Sequence, residues 1–118
     1  MRFSGRGFSL VELMFGVAIL LVVICGSLLT FVYCMLLNES SKNLTIATND
    51  AQYVLEQIKA LPYNGISSYT PPTFTDLPNE TITLDRTIGA SISTIAVNVN
   101  WQERQNSRSI SLSTYIAK

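Results

Sequence analysis

The sequence predicts an α+β fold: a long N-terminal α-helix, half membrane-embedded and half amphipathic, packed on a small C-terminal antiparallel sheet of three strands. Three patterns carry this reading. From Leu13 to Leu37 there is no Asp, Glu, Lys or Arg. From Asn38 to Lys59 apolar residues recur at spacings of three and four, the signature of one helix face. From Thr81 onward apolar and polar residues alternate, as in half-buried strands.

The apolar run is long enough to span a membrane, which takes about 20 residues. Arg2 and Arg6 precede it, so the positive-inside bias keeps the N-terminus cytoplasmic and places everything after about Asn38 on the other side. Residues 1–7 are polar, basic and Gly-containing, and read as a leader to be processed. Glu12 stands at the mouth of the run, where a simple anchor has no use for a carboxylate. Neither Cys25, preceded by Ile24, nor Cys34, preceded by Tyr33, has the small residue a lipoprotein signal needs. Cys25-Gly26-Ser27 is a poor secretory cleavage site.

The helix should continue beyond the membrane. Leu44, Ala47, Ala51, Val54, Leu55 and Ile58 form a stripe, with Ser41, Asn49, Asp50, Gln52, Glu56 and Gln57 around it. No proline occurs between Phe8 and Leu61, and Pro62 ends the pattern because the residue before proline avoids the helical region. One helix over residues 8–61 would be roughly 80 Å long at 1.5 Å per residue. Its residues 8–37 form the membrane and assembly part, and 38–61 the amphipathic part. Gly16, Ala18, Gly26 and Ser27 are either contact points for neighbouring helices or incidental.

Residues 62–80 hold all 4 prolines and read as an irregular αβ loop. Tyr63, Tyr69 and Phe74 there either pack it onto the helix or meet a partner. Residues 81–118 give the sheet. Ile82, Leu84 and Ile88 form one strand, with Arg86 out of place on the apolar side. Ile95, Val97, Val99 and Trp101 form a second, and Ile110, Leu112 and Ile116 a third. Gly89-Ala90-Ser91 and Gln102 to Ser107 connect them in a meander. Beyond the leader and the span, roughly 80 residues remain, near the size at which a single core is marginal.

The string Arg6-Gly7-Phe8-Ser9-Leu10-Val11-Glu12 followed by the apolar run resembles the class III signal of type IV pilins and type II secretion pseudopilins. The resemblance implies cleavage between Gly7 and Phe8 by a prepilin peptidase/methyltransferase and N-methylation of Phe8. It also implies that Glu12 meets the Phe8 amine of a neighbouring pilin or pseudopilin subunit and sets assembly register. The implied location is the bacterial inner membrane, in contact with its lipid, and then a pilus or pseudopilus. Val97-Asn98-Val99-Asn100-Trp101 and Ser109-Ile110-Ser111-Leu112-Ser113-Thr114, with Leu61-Pro62-Tyr63, are similar to the ends of V-type minor pilins and I-type minor pseudopilins. Major pilins often carry a proline near the position of Leu29 and a disulfide near the C-terminus, and this chain departs from both patterns.

Composition narrows the remaining options. There is no histidine, the commonest general base and metal ligand. No nucleophile–base set appears, so no enzyme, cofactor or small-molecule substrate is expected. Both cysteines lie in the apolar run, on roughly opposite helix faces by the 3.6-residue period. Asp76, Glu80 and Asp85 match no calcium loop and read as a solvated acidic patch, without metal. From Asn38 onward there are six basic and seven acidic residues, with no basic stripe for nucleic acid. Arg104 and Arg108 read as a solvated hairpin tip. Two functional classes remain: a minor structural subunit of a filament, or a pilus-borne or membrane-anchored recognition module for a surface, DNA or cargo.

Overall fold

The computed structural model describes Gly7 and residues 9–118. Its elements are α1 (Leu10–Lys59), a 3₁₀ helix (Tyr63–Ser68), β1 (Thr81–Ile88), β2 (Ile92–Glu103) and β3 (Asn106–Ala117). The chain divides into two compact units, Met1–Asn38 and Glu39–Lys118.

In the first unit α1 is apolar all round. Its large side chains are open to the surroundings, from Leu10 at 75% to Leu37 at 52% exposure. It is long and apolar enough to cross a membrane. Its few polar side chains satisfy themselves locally. Ser27 Oγ donates to the Val23 carbonyl at 2.8 Å and Thr30 Oγ1 to the Gly26 carbonyl at 2.9 Å. That arrangement suits hydrocarbon, where an unpaired polar group is costly.

In the second unit α1 turns one face inward. Ala47, Ala51, Val54, Leu55 and Ile58 are buried together with Ile66, Leu77, Ile95, Val97, Val99 and Trp101. The stripe differs from the expected one at two positions. Leu44 is 48% exposed, so the buried face begins one turn later, at Ala47. Asp50, expected on the polar side, is only 9% exposed, because a carboxyl partner, Glu80, meets it there. The last turn tightens, with the Leu61 N–H donating to the Ile58 carbonyl at 3.1 Å, before Pro62 leaves the helix in an extended conformation.

The sheet has the order β1-β2-β3 and is antiparallel throughout. Rungs Ile82–Val99–Ile110 and Leu84–Val97–Leu112 carry the residues expected to face the helix, and all six are buried or half-buried there. The second and third strands are longer than the alternation indicates. Their pairing runs on through Gln102–Ser107 and Glu103–Asn106, leaving Arg104-Gln105 as the turn. Arg104 has φ 55°, the left-handed conformation that two-residue hairpins ask of a central residue. At the other turn Gly89 is required by space: a Cβ there would lie 2.3 Å from the Ile92 carbonyl oxygen.

Side chains that break the alternation fasten the loop to the sheet. Arg86 donates to the Ser67 and Tyr69 carbonyls, which explains a cation on the apolar side of β1. The 3₁₀ helix, a local order the Pro- and Ser-rich composition does not announce, presents Tyr63. Its hydroxyl donates to the Gly89 carbonyl at 2.6 Å and receives a bond from Ser93 Oγ at 2.8 Å. Phe74 packs edge-on to Tyr53 of α1, with ring centroids 5.9 Å apart. The loop aromatics therefore hold the loop down.

The hairpin tip is also anchored. Glu103, 7% exposed, accepts from Ser40 Oγ and Asn43 Nδ2 at 3.3 Å and pairs with Arg108 Nε at 3.3 Å. Arg104 pairs with Glu39 at 3.0 Å. The expected solvated tip is instead a polar clamp on α1. The buried Glu103 pair carries more of it than the exposed Arg104 pair, because exposed ion pairs contribute little.

Candidate processing and assembly site

The expected site is Gly7, Phe8 and Glu12. Gly7 is exposed and lies outside α1. A Cβ added there would meet nothing within 4 Å. No contact within the described chain therefore asks for glycine, so any requirement comes from an external partner that needs a slim backbone. Phe8, the expected new terminus, lies outside the described residues, as do Arg2 and Arg6.

Ser9 caps the helix. The Leu13 N–H donates to the Ser9 carbonyl at 3.1 Å, the first helical bond. The Glu12 N–H donates to Ser9 Oγ and the Ser9 N–H donates to Glu12 Oε2, both at 3.2 Å. This is a capping box, with two otherwise orphaned donors satisfied reciprocally. Glu12 also places a negative charge in the first turn, where the helix dipole favours it. The charge of Glu12 does not by itself point to Ser9. The signal was present, because Ser-x-x-Glu before an apolar run marks a helix start.

The cap has two consequences. It starts α1 two residues beyond the Gly7–Phe8 bond, leaving Gly7 as irregular backbone. It also engages Oε2 of Glu12 through one hydrogen bond. An ionised carboxylate has about four lone-pair sites, so the group retains capacity for an ammonium.

Beyond Glu12 the surface of α1 is a series of shallow apolar grooves. One of about 250 Å³ is lined by Glu12, Leu13, Gly16, Val17 and Leu20. Gly16 and Gly26 have open space where a Cβ would sit. Cys25 and Cys34 are exposed free thiols. Among the described residues no group of three or more His, Cys, Asp or Glu could hold a metal.

The family described as "Prokaryotic N-terminal methylation motif" matches residues 2–28. That match marks the chain as a type IV pilin- or pseudopilin-like prepilin. The prepilin motif belongs to a family of structural subunits. It implies processing by prepilin peptidase and assembly with other pilin subunits. The long apolar helix fits the membrane anchor of such a prepilin. No curated protein and no solved structure matches the chain.

Proposed function

We propose that this prepilin is a minor structural subunit of a type IV pilus or type II secretion pseudopilus. In this reading it is cleaved after Gly7, methylated on the Phe8 amine and assembled through its N-terminal helix. The observation that carries the reading is the helix start. An irregular Gly7 is followed by a Ser9–Glu12 cap and then by an uncharged, largely exposed apolar helix.

The physical argument is electrostatic. Before assembly, the basic leader stays on the cytoplasmic side and the apolar part of α1 crosses the inner membrane. Cleavage of the Gly7–Phe8 peptide bond leaves an ammonium on Phe8 at the edge of the hydrocarbon. A carboxylate at a helix centre costs about 2.5–3.5 kcal/mol on insertion scales, and less near the interface. Pairing the Phe8 ammonium of one subunit with Glu12 of its neighbour offsets both penalties and fixes the axial step between subunits. The grooves beside Glu12 and Gly16 give an adjoining apolar helix a place to pack, since small residues allow close approach in lipid.

A recognition module has less support. The loop aromatics such a module would present are half-buried, and the Tyr63 hydroxyl is used within the fold. The test is to shear filaments from cells and probe for the chain. Wild type should leave with the filaments, and Glu12→Ala should be processed but stay in the membrane. Normal entry of Glu12→Ala into filaments would overturn the pairing.

A further inference from the structure

Two carboxyl groups, one buried and one half-buried, meet in the C-terminal unit, and no cation among the described residues acts on either. Asp50 comes from the buried face of α1, and Glu80 ends the loop just before β1. The two side chains lie within hydrogen-bonding reach of each other, and the Leu77 N–H donates to Glu80 Oε2 at 3.3 Å. Asp50 Oδ2 and Glu80 Oε1 are buried and receive no bond from any donor elsewhere in the described protein. Two ionised carboxylates are acceptors only and repel at contact, so one site of this kind holds one proton.

The surroundings keep that proton on the pair above the ordinary carboxylate range. Burial raises the Glu80 carboxyl, the bond to Asp50 and the charges of Asp50 and Asp76 push the same way, and the Leu77 N–H opposes them, leaving it at about 7. Burial and Asp76 also raise Asp50, while the bond from Glu80 holds it down. The other charged groups of the packed elements are occupied or turned outward. Asp85 of β1 accepts from Asn98, and Arg86 is committed to the Ser67 and Tyr69 carbonyls. Glu103 of β2 and Arg108 of β3 pair with each other, Arg104 pairs with Glu39, and Lys42, Glu56 and Lys59 of α1 and the terminal Lys118 are exposed.

We propose that Asp50 and Glu80 form a one-proton latch that fastens the end of the αβ loop to α1 in acidic medium and releases it as the medium turns alkaline. The fastened segment is small and well defined. Leu77 is buried in the core at 4% exposure. The Pro78 carbonyl accepts from the Gln102 N–H at 2.9 Å, and Asn79 Nδ2 donates to Gln102 Oε1 at 2.7 Å. Glu80 also lines a surface cleft of about 220 Å³ with Pro71, Pro72, Thr73, Phe74 and Thr81. When the second carboxyl ionises, repulsion across the pair acts on the loop, which is the less regular partner, and the cleft changes shape with it.

Hydrogen exchange on the full chain in detergent micelles tests the latch, with rates corrected for the intrinsic effect of pH. Protection of the Gln102 amide, which donates to the Pro78 carbonyl, should fall at least tenfold as pH rises from 5.5 to 8.5, with its midpoint near 7. Glu80→Gln keeps a donor toward Asp50 and cannot ionise, so its protection should stay level over that range. Asp50→Asn removes the facing charge, so its midpoint should move to lower pH even if Glu80→Gln does not fold. Level protection in wild type, a midpoint unmoved by Asp50→Asn, or a Glu80→Gln profile like that of wild type overturns the proposal. Protection restored at pH 8.5 by millimolar calcium chloride would also overturn it, by giving the two oxygens to a metal.

Discussion

Replacing Ile58 by Ala should unfold much of the C-terminal unit, whereas replacing Leu44 by Ala should scarcely disturb it. Both residues belong to the helical spacing of apolar positions, but Ile58 is 1% exposed and Leu44 is 48% exposed. Ile58→Ala removes three carbons from a core shared with the sheet. At about 0.8 kcal/mol per buried methylene this amounts to roughly 2.4 kcal/mol. The residual cavity adds to it, giving about 3 kcal/mol within the usual range of about 2–5. A core in a unit of this size supplies only about 3–5 kcal/mol of net stability, so most of it would be lost. In a domain this small each kcal/mol moves the midpoint by about 4–8 °C, so a fall of about 12–24 °C is expected. The chain has one tryptophan, Trp101, at 4% exposure in that core. Its emission during a thermal melt of the full chain in detergent therefore reports the unit directly. Leu44→Ala should stay within about 4 °C, as exposed substitutions cost about 0.5 kcal/mol or less. Equal shifts for the two variants would refute the assigned phase of the helix.

Other consequences follow from single contacts. Gly89→Ala should lower the same midpoint by several degrees, since its Cβ would meet the Ile92 carbonyl oxygen at 2.3 Å; an unchanged melt would mean the turn relaxes freely. Glu80 sits at about 7 in the folded protein against an ordinary 4.5, so the folded state keeps a proton that the unfolded chain gives up between those values. Its contribution is therefore full below about pH 4.5 and lost as pH rises through 7. The difference corresponds to about 3 kcal/mol at most, reduced to about 1–2 by solvent at the half-buried carboxyl. Melts at pH 5 and pH 8.5 should differ accordingly in wild type and not in Glu80→Gln. At the helix start, Glu12→Gln preserves the capping geometry and removes the charge, because Gln serves the box as Glu does. It should be cleaved at the wild-type rate and fail to assemble, whereas Ser9→Ala, losing about 1 kcal/mol of cap, should slow cleavage; pulse-chase immunoblotting separates these outcomes.

Long-range pattern carried most of the architecture. The apolar run follows from its length without a charged residue, and the buried face of α1 and the inward rows of the sheet follow from periodicity, because a burial face forces it. Residues whose polarity conflicts with their position were harder to read. Asp50 falls in the buried sector of the helix, but a carboxylate reads as surface unless its partner is known. That partner, Glu80, is brought to it by the fold alone. Glu103 and Arg86 are similar: each is charged, sits on an inward row and is satisfied by groups distant in sequence. Leu44 errs the other way, since an apolar residue at the right spacing need not be covered. The Ser9–Glu12 box at the N-terminus is legible as structure, since Ser-x-x-Glu precedes an apolar run.

The central claim is that this prepilin is matured at Gly7–Phe8 so that a new ammonium can pair with Glu12. Intact-mass analysis of the protein isolated from native membranes or filaments tests it most directly. The expected species begins at Phe8 and carries one methyl group. A native chain that retains Met1 through Gly7 would contradict the account.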